Sequence, residues 1–298
     1  MAAFMLLIVC LALGGLVAKI AKPPPTLAAS LNWWVINVAL PALVLELVPK
    51  LELHWALWYL PVSMWLMFVG AWGFFAWLGR LFHWSRGRVG ALTLTCGLSN
   101  TAFVGFSLIE ALRGKESLGL AVVSDQVGCF LMLAIGGAVV AAVYSGGRVD
   151  ARAVTRRVLL FPAFIALSIG LGVGALGGWP NGVEPILSRI NSTLVPLALF
   201  SVGLQMRFQF APGEFSATLA GLGYKLALAP LGVYLLGLAF GIGGMTRTIG
   251  VLQAAMAPMV SAAILAEQHD LDPPLANLVL VIGIVLSFVT VPLIDSLL

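Results

Sequence analysis

The sequence predicts an all-α transmembrane protein of ten helices, built as two inverted five-helix repeats in which helices 4 and 9 are broken where they cross. Three observations predict it. The 298 residues are 61% hydrophobic and 9% charged, with a mean hydropathy of +1.06, whereas soluble domains carry about 25% charged residues. The apolar residues form long runs separated by short charged clusters, which suits helices of about 20 residues and not barrel strands of about ten. The halves 1–150 and 151–298 carry matching features in the same order. Ten spans use up most of the chain, so one membrane domain over 1–298 is expected.

The spans fall at 2–20, 26–48, 55–79, 89–112, 118–144, 154–177, 185–205, 215–241, 247–267 and 274–297. The first has no basic residue ahead of it. Lys19 and Lys22 follow it instead, the wrong order for a secretory signal peptide, so a retained span is expected. Breaker and turn residues separate the others: Pro23–Pro25, the cluster Arg80–Arg88, RGKES at 113–117, GGRVDAR at 146–152, GGWPNG at 177–182 and DLDPP at 270–274. Cys10, Cys96 and Cys129 all lie inside apolar runs. They form neither a disulfide framework nor a metal-ligand spacing, so no metal and no cofactor is expected.

Orientation follows from the basic residues. Of the 16 Lys and Arg, ten fall in loops after odd-numbered spans, Arg207 among them; five fall in the other loops, and Lys225 lies inside a span. The positive-inside rule places the richer loops in the cytoplasm and both termini outside a cell (inner) membrane. The net charge of +4 belongs mostly to these loops, and nucleic acid is not an expected partner. Tryptophans such as Trp33, Trp55 and Trp77 near span ends read as interfacial anchors.

The repeat shows in two pairs of spans. The second reads INVALPALVLEL from Ile36 and the seventh INSTLVPLALFSVGL from Ile190; each has Ile-Asn, then a proline (Pro41, Pro196), then a Leu/Val-rich run. The fourth span holds CGLSNTAFVGFS, Cys96–Ser107, where hydrocarbon would favour Leu, Val and Ile. The ninth breaks at Pro258, with Ser261 just beyond. Five spans per half is an odd number, so the halves face the membrane oppositely, and interrupted helices at matching positions are a pointer to a transport site.

The chemistry follows from the interruption. A helix that resumes presents unpaired N–H groups and roughly half a positive charge at its start. Two such starts near the midplane can hold a carboxylate, with Ser99, Asn100, Thr101, Gly105, Gln253, Pro258 and Ser261 as the candidate binding residues. The plainer alternative is that these side chains only join neighbouring helices, a role worth about 0.6 kcal/mol each, and that Pro258 is an ordinary kink.

Asp125 lies about 10 Å into the fifth span by helical rise. An intramembrane carboxylate there is a candidate for carrying a proton, binding a cation or pairing with a base; a static packing pair is the alternative. Gln126 beside it reads as an amide joining helices. Lys225, about 15 Å into the eighth span, is either an intramembrane functional charge or a side chain snorkelling to the surface. Glu46 and Glu267, near span ends, are expected to be interfacial charges.

LALFSVGLQ at 197–205, QAAMAPMVSAAILAEQHDLDP at 253–273 and GLSNTAFVGFSLI at 97–109 resemble the auxin efflux carrier family, and the similarity spans both halves. The resemblance implies a fold shared with bile-acid/sodium symporters and sodium/proton antiporters, with spans 1, 2, 6 and 7 as scaffold and spans 3–5 and 8–10 as a moving transport core. It also implies a carrier of small organic acids. Plant members carry a long hydrophilic loop after the fifth span and a proline at the fourth-span break. This chain has only Ser145–Arg152 and Phe103-Val104-Gly105 there, so control by loop phosphorylation is not expected. The breaks offer amides and hydroxyls with Asp125 as the nearest acid, a poor set for a hard cation, which favours several oxygen ligands.

The reading is a secondary carrier of small organic anions, with the lipid bilayer as its surroundings and a homodimer through the scaffold helices as a possible assembly. An intramembrane enzyme would need a nucleophile with its base, a metal cluster or paired acids, and no such pattern occurs in the spans. A membrane sensor that binds a ligand without moving it is the third reading.

Overall fold

A computed structural model describes residues 2–206 and 214–298; Arg207, one of the ten basic residues behind the orientation argument, lies outside them. Among the described residues all regular structure is helical. The helices are α1 (Ala2–Ile20), α2 (Leu27–Lys50), α3 (Trp55–Leu81), α4 (Arg86–Gly97), α5 (Phe106–Arg113), α6 (Lys115–Ser145), α7 (Ala151–Leu159), α8 (Pro162–Ala175), α9 (Val183–Gln205), α10 (Phe215–Ala239), α11 (Gly244–Ala255), α12 (Val260–Gln268) and α13 (Pro273–Asp295).

Six of these are long and apolar enough to cross a bilayer, and the bent pair α7–α8 makes up to seven. The expected fourth and ninth spans are each split, into α4 with α5 and α11 with α12. The sixth, read from sequence as continuous over 154–177, is split as well: α7 and α8 meet at 52°. Pro162 explains this. It disfavours helical backbone at the residue before it, and Phe161 sits at φ −71°, ψ 122°.

Two other intrahelical prolines leave subtler marks. Pro41 in α2 follows a π-helical stretch, Val35–Ala39, and Pro230 in α10 follows another, Tyr224–Leu228. A proline removes one N–H and clashes with the preceding turn; the widened turn absorbs both. The second of these turns carries Lys225.

The chain folds as two compact units. One comprises residues 2–54, 102–122 and 158–206. Within it α1 and α9 approach backbone to backbone at Gly14 and Gly203, since small residues let membrane helices pack closely. Here the structure corrects the expectation for Glu46. It is no interfacial charge: it is only 7% exposed, accepts a hydrogen bond from Asn191 and pairs with Lys115 at 2.8 Å. Lys115 also donates to Ser188 at 3.0 Å. The shortfall was one of context, because three helices close over a position that the sequence places near a span end. Glu267, by contrast, is exposed.

The other unit comprises 55–101, 123–157 and 214–298. Its core joins Phe68, Leu94, Leu98, Leu133 and Val140 to a run of alanines, Ala262, Ala263, Ala266 and Ala276. Arg88, in the first turn of α4, pairs with Asp272 at 3.1 Å. Asp272 stands at the N-terminus of α13, where a negative charge also complements the helix dipole.

Candidate functional site

Within this second unit the two broken helices meet. α4 ends at Gly97, and Leu98 turns extended at φ −119°, ψ 140°. α11 ends at Ala255, and Met256 and Met259 are extended too. The two interruptions pair as an antiparallel bridge between Ser99 and Pro258, with the Asn100 amide donating to the Ala257 carbonyl at 2.8 Å. The sequence drives this locally. Pro258 cannot continue a helix, and Gly97, Ser99 and Asn100 are poor helix formers. Strand-like pairing then satisfies backbone groups that no water could reach; Ser99, Asn100, Ala257 and Met256 are at most 2% exposed.

Past the bridge each chain resumes as helix. Thr101–Gly105 is π-helical and leads into α5. α12 starts at Val260, with the Met259 carbonyl accepting from Ala262 and Ala263 at 3.2 Å each. The interruption therefore lies at Leu98–Asn100, at the polar stretch of the fourth span, and Gly105, a candidate binding residue, lies beyond it. Gly105 has helical backbone, φ −64°, ψ −54°, and belongs to the other compact unit.

Two ionisable groups flank the bridge. The Asp125 carboxylate, 3% exposed, accepts from the Thr101 hydroxyl and from the Gln126 amide at 2.6 Å. Gln126, expected to join two helices, thus bonds its own neighbour. Both lie in a π-helical stretch, Ser124–Phe130. Beside them Ser124 Oγ and Gln126 Oε1 are buried without a hydrogen-bond partner among the described residues.

Lys225 is fully buried, so the snorkelling alternative does not hold. Its Nζ donates to Ser99 Oγ at 2.5 Å and to the Ala254 carbonyl at 2.6 Å, with Met67 Sδ at 3.8 Å. Among the described residues no carboxylate contacts it. The electrostatics are complementary. Ala254 lies in the last turn of α11, where helix carbonyls carry partial negative charge, and Thr101 opens a helical stretch, where partial charge is positive. The ammonium sits at the first and the carboxylate at the second.

Of the other predicted positions, Gln253 is buried in the last turn of α11 and Ser261 half-buried in the first turn of α12. Sequence reasoning missed Met67, the Ala254 carbonyl and Gly283. The carbonyl leaves no residue-type signal; Gly283, a glycine inside an apolar run, was visible but unused. A Cβ at Gly283 would lie 2.3 Å from Pro258 Cδ and 2.6 Å from its Cγ. Gly283→Ala is therefore expected to displace the bridge and cut transport about tenfold or more, given overpacking costs of about 1–3 kcal/mol. Gly232→Ala, with nothing within 4 Å, is the control. Equal transport rates in the two variants would show that the contact is immaterial.

Fold and site together define a multi-pass, all-helical membrane protein with a paired helix break bearing one buried acid and one buried base. The membrane transport protein family model matches residues 2–294, and the chain belongs to that family, that of the auxin efflux carriers its motifs resemble. Similar proteins include an uncharacterized transporter of Methanothermobacter thermautotrophicus, 28% identical over 274 residues, covering 89% of this chain and 87% of that one. The uncharacterized transporter MJ1031 of Methanocaldococcus jannaschii is 26% identical, with 82% and 81% covered. The uncharacterized transporter YfdV of Escherichia coli K12 is 24% identical, with 89% and 87% covered.

Proposed function

We propose that the protein is a secondary carrier of small organic anions that works by alternating access at the paired break. The observation that carries this reading is the Ser99–Pro258 bridge, with a buried ammonium at one helix end and a buried carboxylate at a helix start. The resuming helices offer N–H groups and partial positive charge to a substrate carboxylate. Asn100 and Ser261 orient it, while Ser99, Thr101, Gln253 and Pro258 shape the break. Lys225 supplies a tethered positive charge at the end of α11, so that position needs no bound cation. Asp125 carries a proton. The unpaired Ser124 and Gln126 oxygens beside it give that proton, or a polar ligand, further hydrogen-bonding capacity.

In the same reading the ten spans form two inverted five-helix repeats. Spans 1, 2, 6 and 7 are scaffold, and spans 3–5 and 8–10 are the moving core. The protein sits in the cell membrane with both termini outside, and pairs through its scaffold helices.

Proteoliposome uptake of labelled mono- and dicarboxylates tests the proposal. Saturable uptake is expected, reduced about tenfold or more in an Asn100→Ala/Ser261→Ala variant, the equivalent of one hydrogen bond to a charged group. Normal flux in that variant removes the proposed site. In Asp125→Asn, stimulation by an imposed pH gradient is expected to vanish; a persisting response removes the proton role and leaves the anion site standing.

A further inference from the structure

Helix α7 carries a feature that the transport reading leaves unused. Arg148, Arg152, Arg156 and Arg157 fall within ten residues, and all four are exposed. None of their guanidinium groups has a hydrogen-bond or ion-pair partner among the described residues. The one acid in the segment, Asp150, is engaged elsewhere: its Oδ1 accepts from the backbone amides of Arg152 at 2.9 Å and Ala153 at 3.1 Å, capping the helix.

The helix is two-faced. Arg152 and Arg156 stand four residues apart on one side; Val154 and Val158, also four apart, form a half-buried stripe on the other, with Arg157 at its border. Apolar side chains continue at its ends, with Leu159 and Leu160 each 59% exposed and Val149 43% exposed. Nine residues make a helix of about 13 Å, well short of the roughly 30 Å of a bilayer core. The 52° bend before Pro162 turns α7 away from the line of α8.

We infer that α7 is an interfacial anchor whose arginines bind the phosphate headgroups of anionic phospholipids. A short helix with a basic face and an apolar stripe lies in the plane of the membrane surface, and the orientation argued from loop charge puts this one at the cytoplasmic leaflet, where anionic lipids concentrate. Arginine suits the role because its planar fork binds phosphate through two hydrogen bonds.

The test uses the full chain purified in neutral detergent, titrated separately with phosphatidylglycerol, cardiolipin, phosphatidylcholine and inorganic phosphate. Thermal stability and lipid retention by native mass spectrometry are the readouts. The two anionic lipids are expected to bind and stabilise, weakening at high salt, and phosphatidylcholine and free phosphate are expected to do neither. R152Q/R156Q/R157Q is expected to lower phosphatidylglycerol affinity about 100-fold, about fivefold for each charge. R152K/R156K/R157K retains most of it, and K19Q/K22Q all of it. Unchanged anionic-lipid affinity in the glutamine variant, or equal binding of phosphatidylcholine, overturns the inference. So does stabilisation by free phosphate alone, or an equal loss in K19Q/K22Q.

Discussion

Lys225→Met is expected to cut transport about 100-fold while leaving the fold as stable as before, or more so. The Lys225 ammonium is fully buried and its partners are neutral: the Ser99 hydroxyl, the Ala254 carbonyl and the Met67 sulfur. Burying an ion costs several kcal/mol even after relaxation, and replacing it by an apolar group of similar volume is often neutral or stabilising. Methionine, one atom shorter, keeps most of the side chain's length and packing, and removes that cost. Two charge-assisted hydrogen bonds at the bridge are lost, as is the positive charge facing the carbonyl end of α11. Uptake is expected to fall about 100-fold, the equivalent of roughly 3 kcal/mol, with a melting temperature equal to or a few degrees above that of the native protein. Proteoliposome uptake and thermal denaturation measured on one preparation decide it. A variant that loses stability and transport together would make Lys225 a structural pillar and end its role as a tethered cation.

Gly14→Ala and Gly203→Ala are each expected to cost about 3 kcal/mol, the upper end for overpacking a tight contact. A Cβ at Gly14 would lie 2.2 Å from the Phe200 carbonyl oxygen and 3.0 Å from Gly203 Cα; a Cβ at Gly203 would lie 2.2 Å from the Leu11 carbonyl oxygen. The obstacles are backbone atoms, which cannot rotate away as a side-chain tip can. The added methyl must push α1 and α9 apart and forfeit the packing that holds membrane helices together. Once the helices have separated the second methyl meets little resistance, so the double variant costs less than the sum of the two. Equilibrium unfolding in mixed micelles measures this, with Gly172→Ala as control because nothing lies within 4 Å of that position. Strict additivity in the double variant would show that the two glycines do not share one contact.

Much of this arrangement was legible along the chain. The described helix limits follow the apolar runs to within a few residues, and the polar stretch at Ser99–Thr101 and the proline at 258 were both marked as interruptions. Pro162 lay in plain view too, yet the length and apolarity of its run suggested one straight helix. Glu46 was misplaced because depth along a helix says nothing of what packs around it; Lys115, Ser188 and Asn191 come from distant segments. Gly105 drew attention as the residue standing where relatives have proline, although the backbone had already broken at Leu98.

The sequence by itself determined the class of protein, the extent of its apolar helices and the two positions where those helices fail. Such properties are local and additive: hydrophobicity sums along a run, and a proline or an Asn-Thr pair acts on its own turn. Tertiary structure alone decided that Ser99 pairs with Pro258, that Lys225 turns inward to a carbonyl at the end of α11, and that Asp125 is held by Thr101 at the start of a helix. These contacts link residues far apart in the chain, several through backbone atoms that every residue type carries. Which of them meet is settled by packing and by the need to satisfy each buried polar group, and no run of side chains spells that out.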